Sequence, residues 1–329
     1  MSPDSVLIPR LAVDFAAIEQ AALRIRGQAL VTPLIENPDL NQRCGGRVFL
    51  KLESLQIGGA FKFRGAYNRL AALSPEERAK GVVAASTGNH AQGIGHAARR
   101  LGMQATIVMP ADAPRIKLDN TRNLGAEVIT YDRKTQDRDT IAKALATERG
   151  CVFVHPYDNP WVIAGQGTIG FELVDQSPVP LDAVVICCGG GGLTAGIATA
   201  LERLSPQIRI YVVEPEGYDD TVRSLVAGHR LGIEKGAHSI CDAISTLAPG
   251  ELTFPILQHY GVEGITVTDD DVREAMRYGF HTLKLVIEPG AAVALAAVLT
   301  GRFEVKGRNV AVLVSGGNVD PGIFAQIIS

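Results

Sequence analysis

Short β-branched runs alternate with alanine-rich amphipathic stretches along most of the chain. That alternation predicts an α/β protein, a parallel sheet clothed by helices. The predicted strands are Val48–Leu52, Gly81–Ala85, Ala105–Met109, Glu127–Tyr131, Val152–Val154, Ala183–Cys188, Ile208–Val213 and Asn309–Val314. Each is followed by a turn and a segment of helical periodicity. The stretch from Gly81 to Pro156 holds strand–helix units of its own, with Ala91 to Leu101 and Ile116 to Leu124 as its helices, and reads as a small subdomain inserted in a larger one. No tandem repeat or low-complexity tract interrupts the pattern, and nothing after Ser329 offers a regulatory module, so control by an appended domain is not expected.

With 329 residues, 46% of them hydrophobic, the chain can bury a sizeable core. A net charge of -3 leaves no basic field for nucleic acid, and no Lys/Arg-rich patch alternates with aromatics. The N-terminus, Met1 to Val6, lacks the basic and apolar regions of a leader, and no apolar run approaches the ~20 residues of a membrane span. The expected location is the cytoplasm, with neither membrane nor nucleic acid as a partner. Cys44, Cys151, Cys187, Cys188 and Cys241 form an odd set without a C-x-x-C pair and are expected to be reduced core thiols.

Candidate chemistry begins with Gly189, Gly190, Gly191 and Gly192, which follow the apolar run Ala183–Cys188 and precede Leu193-Thr194-Ala195. A buried strand that ends in residues without side chains lets backbone N–H groups converge on an anion, and the following helix adds its positive end. Leu193-Thr194 stands where a nucleoside-triphosphate loop needs Lys-Ser/Thr, so the cradle suits a compact phosphate monoester. The plainer alternative is a strand-to-helix turn with surplus glycine. A dinucleotide fold is the rival, with Glu214 in place of a ribose-binding acid, but the glycine spacing fits it poorly.

Lys62 lies in Gly58-Gly59-Ala60-Phe61-Lys62-Phe63-Arg64-Gly65-Ala66, at the start of a helix entered through small residues. Aromatic neighbours and close backbone approach would desolvate its amine, lower its pKa and make it nucleophilic toward a carbonyl. The alternative is a snorkelling surface lysine. Ser86-Thr87-Gly88-Asn89-His90 follows a predicted strand and opens a helix, a place for a carboxylate or for a simple cap. Ser315, before Gly316-Gly317, sits at the end of another.

A Schiff-base lysine and a monoester phosphate site are the two anchors of pyridoxal 5'-phosphate. With these motifs, and with Ala164 to Thr168, Glu214-Pro215, Glu288-Pro289 and Ser315 to Asn318 in the same order, the chain resembles the fold-type II pyridoxal-phosphate enzymes, the threonine/serine dehydratase and serine racemase group, over nearly its whole length. The resemblance implies a tryptophan synthase β-like fold of two parallel-sheet three-layer domains. Residues 1–80 and 157–329 would form the large cofactor-binding domain and 81–156 a small mobile domain that closes over substrate. It also implies a homodimer.

By the same resemblance Phe61, Lys62, Asn89, the glycines 189–192, Leu193, Glu288 and Ser315 hold the cofactor, with Asn89 at the ring hydroxyl and Ser315 at the pyridine nitrogen. Ser86, Thr87, Gly88, Asn89 and His90 receive the substrate carboxylate. The implied reaction is α,β-elimination from a β-hydroxy amino acid, yielding a 2-oxo acid and ammonia. Lys62 removes the α-proton, and a neutral hydroxyl at Ser315 disfavours a long-lived carbanion. Thr87 stands where racemases of the group carry a second acid/base, so a serine or aspartate racemase is the alternative. An NAD-dependent oxidoreductase is the alternative of another class. Glu214, Asp220 and the Tyr218 carbonyl match the divalent-metal site of the racemase-like branch and suit Mg²⁺, with Ca²⁺ or Mn²⁺ feasible; a solvated acidic loop is the plainer reading. Arg138 matches an arginine that reaches a second ligand carboxylate and points to 3-hydroxyaspartate. Tyr157 and Trp161, as pocket walls, would favour phenylserine, and serine and threonine complete the substrate set.

Overall fold

The computed structural model describes residues 11–329 except Thr87, Pro114 and Lys235. Its strands are β1 (Leu34–Glu36), β2 (Arg47–Leu52), β3 (Val82–Ala85), β4 (Ala105–Pro110), β5 (Glu127–Tyr131), β6 (Val152–Phe153), β7 (Ala183–Cys187), β8 (Arg209–Pro215), β9 (Glu263–Val267) and β10 (Asn309–Val314). They form a six-stranded sheet in the order β1-β2-β10-β7-β8-β9 and a four-stranded sheet in the order β5-β4-β3-β6. Every pairing is parallel except that of β1 with β2. This strand order is not that of the doubly wound dinucleotide fold, so that rival reading fails on topology.

Parallel strands covered on both faces read as continuous apolar runs, and β4 and β7 are buried at every position. The helix Pro289–Leu299, buried along its whole length, covers one face of the larger sheet and explains why its sequence has no polar stripe. Pro160–Gln176 and Gly192–Leu204 pack on each other, and the first of these also packs on Lys62–Ala71. One apolar cluster joins Ile107 of the smaller sheet to Ile94, to Phe63 and Tyr67 of the lysine-bearing helix, and to Val162.

The sequence pattern misses β1 and β9. β1 has only three residues, and β9 is an edge strand that opens Glu263-Gly264 with its first positions exposed, so neither carries a buried apolar run. β8 continues through Glu214 and Pro215, which places Glu214 inside the strand. Among the described residues no helix is long and apolar enough to cross a membrane. All five cysteines are free thiols; Cys44 and Cys151 are only partly buried, so the core-thiol expectation holds for Cys187, Cys188 and Cys241 alone.

Candidate active site

The carboxyl ends of β3, β7 and β10 open onto one cavity of about 310 Å³, where open parallel sheets gather their ligand sites. Lys62, Asn89, the glycines 189–192, Glu288 and Ser315 all line it, as do Phe61, Leu193, Ser86, Gly88, His90, Arg138 and Tyr157. Thr87 lies outside the described residues.

Lys62 opens its helix, and its Nζ donates to the Pro156 carbonyl at 2.9 Å and stands 5.0 Å from the Phe61 ring centroid. Burial pulls the amine down to about 8, against the opposing pull of Cys187 and Glu288. With such a pKa about a tenth of the amine is neutral at pH 7, a few hundred times more than for a free lysine, and the neutral form is the one that attacks a carbonyl or takes a proton.

The glycine loop follows β7 into the helix Gly192–Leu204, with Gly191 at φ 88, a left-handed conformation that a side chain rarely adopts. Its carbonyls are already engaged: Thr221 Oγ1 donates to Gly189 O at 3.2 Å and Thr253 Oγ1 to Gly190 O at 2.6 Å. The free polar groups of the turn are therefore the first amides of the helix, an anion site with its dipole aligned. Tyr157 lies flat on the loop; a Cβ on Gly190 would come within 2.2 Å of its ring. Burial raises the Tyr157 hydroxyl to about 12, so it stays protonated.

Asn89, the first residue of its helix, donates from Nδ2 to Glu288 Oε1 at 2.6 Å and accepts from Asn318 Nδ2 at 2.8 Å. Glu288 is buried, and desolvation pushes it up to about 8 even though the Asn89 bond pulls the other way. His90 is buried beside Lys62 and held near 3 by desolvation; its Nε2 faces the Val154 carbonyl at 3.0 Å, so the neutral ring carries its proton there. Ser86 Oγ accepts from Gly88 N at 3.2 Å and shapes the turn before that helix. Ser315 is buried, its carbonyl accepting from Phe61 N at 3.1 Å and its Oγ from Cys187 Sγ at 3.1 Å.

The remaining expected residues fall unevenly. Arg138 begins the helix Arg138–Arg149 and reaches the cavity with a half-exposed side chain, 3.7 Å from Asp139. Trp161 does not wall the site: it is exposed at the surface, where the Arg24 guanidinium sits 5.1 Å from its ring. Glu214 and Asp220 are fully buried behind the glycine loop, with Glu214 Oε1 and both Asp220 carboxylate oxygens lacking any partner. Burial and mutual repulsion hold Glu214 well above the usual carboxylate range, and burial lifts Asp220 to about 7. These two carboxylates do not amount to a side-chain cage, and among the described residues no group of three or more His, Cys, Asp or Glu could hold a metal.

Cys187 and the Pro156 carbonyl are site groups that sequence reasoning did not single out. Only the alignment of strand ends brings them to Lys62, and no local motif marks them.

The cavity fits pyridoxal phosphate on its own geometry: an amine of lowered pKa, an amide cradle closed by Tyr157, and a buried hydroxyl at Ser315 surround a space of the right size. Comparison agrees. A family model described as pyridoxal-phosphate dependent enzyme matches residues 25–316. The L-threo-3-hydroxyaspartate ammonia-lyase of a Pseudomonas species is 43% identical over 94% of this chain and 96% of its own length. The L-threonine ammonia-lyase of Thermotoga maritima is 40% identical over 95% of this chain and 77% of its own. Among solved structures, maize serine racemase superposes with a TM-score of 0.91 at 35% identity, covering 96% of each chain.

Proposed function

Since the chain belongs to the pyridoxal-phosphate dependent enzyme family, we propose that it is an ammonia-lyase that converts 3-hydroxyaspartate to a 2-oxo acid and ammonia, with threonine and serine as weaker substrates. The observation that carries the substrate is Arg138, the guanidinium on the cavity that holds Lys62 and the glycine cradle; Lys117, also on its lining, is paired with Asp242. A bidentate guanidinium recognises a second carboxylate, which neither serine nor threonine has. Pyridoxal phosphate, held on Lys62 until the substrate amine takes the lysine's place, would supply the electron sink that acidifies the α C–H and lets the β-hydroxyl depart.

This chain's residues do the rest. Backbone amides at positions 189–193 take the phosphate, and Asn89 with Glu288 holds the ring hydroxyl. Ser315 presents a neutral hydroxyl to the ring nitrogen, which keeps charge there low and favours departure of the β-group. Ser86, Gly88 and His90 receive the α-carboxylate at a helix N-terminus. The Lys62 amine takes the proton from Cα, and its lowered pKa of about 8 suits that role. Residues 81–156 close over the substrate as a mobile lobe. Thr87 supports racemisation only as a side activity.

Glu214, Asp220 and the Tyr218 carbonyl hold a structural divalent cation, Mg²⁺ by preference; the orphaned buried oxygens of the two carboxylates support this. Exposed apolar side chains at Phe280, Val286 and Ile323 support a homodimer. The free thiols favour the cytoplasm.

The test is ammonia release from 3-hydroxyaspartate, threonine, serine and phenylserine in their separate diastereomers, with the wild type and Arg138→Ala. The expectation is highest kcat/KM for one 3-hydroxyaspartate isomer, lost by about 10-fold or more in R138A while serine turnover changes little, as for a charge-assisted contact. Equal losses on all substrates, or preference for phenylserine, would refute the assignment.

A further inference from the structure

β7 and β10 are adjacent parallel strands, with Val312 opposite Val185, so they finish side by side at the floor of the cavity. The last residue of β7 is Cys187, and Ser315 follows β10. Both side chains are buried, and Cys187 Sγ lies 3.1 Å from Ser315 Oγ. The Ser315 backbone is pinned by the Phe61 N–H and by the bridge between Ala60 and Gly316. Its hydroxyl has no such restraint: among the described residues Cys187 is the hydrogen-bond partner of Ser315 Oγ.

A serine hydroxyl has one hydrogen to give, whereas sulfur is a weak acceptor and a ring nitrogen a good one. Burial raises the Cys187 thiol to about 11, so it keeps the proton it donates. When the thiol donates to Oγ, the hydroxyl's own hydrogen is left for the cavity. On the premise of the proposed function, we propose that Cys187 is a positioning residue: its S–H bond to Ser315 Oγ fixes the hydroxyl rotor so that Ser315 donates to the cofactor's ring nitrogen. The role belongs to this chain's thiol and is separate from any contact of Cys187 with substrate.

The test is a double-substitution cycle read by cofactor binding. Apoenzyme is titrated with pyridoxal phosphate, and the dissociation constant and the position of the visible band are measured for wild type, Cys187→Val, Cys187→Ser, Ser315→Ala and the Val/Ala double variant. Valine fills the thiol's space without a donor, and serine keeps one. C187V is expected to bind about 3–10-fold more weakly, the net worth of one hydrogen bond, with a shifted band. C187S should stay within about 2-fold, and C187V should add less than about 2-fold in the S315A background. If valine prevents folding, Cys187→Ala serves in the same cycle. Equal binding by C187V and wild type, failure of serine to substitute, or the same loss with and without Ser315 would overturn the assignment. A wild type that takes up no pyridoxal phosphate would sink it together with the proposed function, whereas additive losses in a protein that binds the cofactor sink this assignment alone.

Discussion

Replacing Gly190 with alanine tests the cradle directly. The added Cβ would lie 2.2 Å from two carbons of the Tyr157 ring, where ordinary contact begins at 3.4 Å, so the ring must retreat by about 1.2 Å. Tyr157 also borders a second cavity, lined by Lys143, Phe153 and Arg230, which offers the ring room to shift. The strain therefore falls in the lower part of the range for overpacking, about 1–2 kcal/mol, which corresponds to about 5–30-fold weaker pyridoxal-phosphate binding. Shortening Tyr157 to alanine should remove most of the penalty, giving a coupling of about 1 kcal/mol in a double-mutant cycle. Gly192 supplies the contrast: its Cβ would meet the Tyr157 backbone oxygen at 2.9 Å and Cα at 3.0 Å, which truncation of the ring cannot move. The assay is fluorescence titration of apoenzyme with cofactor, beside thermal unfolding of each variant. Wild-type affinity in Gly190→Ala, or equal rescue of both alanine variants by Tyr157→Ala, would refute the packing argument.

Arg64, buried two residues after Lys62, binds both Glu53 oxygens at 2.8 Å and also pairs with Glu172, which Lys51 reaches at 2.6 Å. Arg64→Met strands the buried Glu53 and should cost about 3–5 kcal/mol in denaturant unfolding, with part regained by adding Glu53→Gln; a loss under about 1 kcal/mol would contradict it. The raised carboxyls of Glu214 and Asp220 make the folded chain bind more protons than the unfolded one. For Asp220 that contribution is full below pH 3.8 and is lost as pH rises through about 7, so Tm without divalent cation should fall over that window. Saturating Mg²⁺ or Asp220→Asn should flatten the fall, and an unchanged slope in both would argue against a cation at this site.

Several local features are legible in the sequence without any tertiary contact. The strands of the two sheet interiors appear as apolar runs because parallel strands are buried on both faces. Lys62, the glycine loop, Asn89 and Ser315 stand out because strand-to-turn-to-helix segments create their own amide clusters, whatever the rest of the chain does. The same local reading put Tyr157 and Trp161 on one wall, although the helix that starts between them turns Trp161 outward to Arg24.

Motif order and chemistry type are thus properties of the sequence itself, since neighbouring residues determine backbone amides, caps and turn glycines. Partnership is decided by the fold. Asn89 meets Glu288 across 199 residues and Cys187 meets Ser315 across 128, contacts set by strand order and by where each strand ends. The same holds for the lysine's pKa near 8 and the unpaired oxygens of Asp220, because desolvation depends on everything packed around a group and no single segment supplies that enclosure.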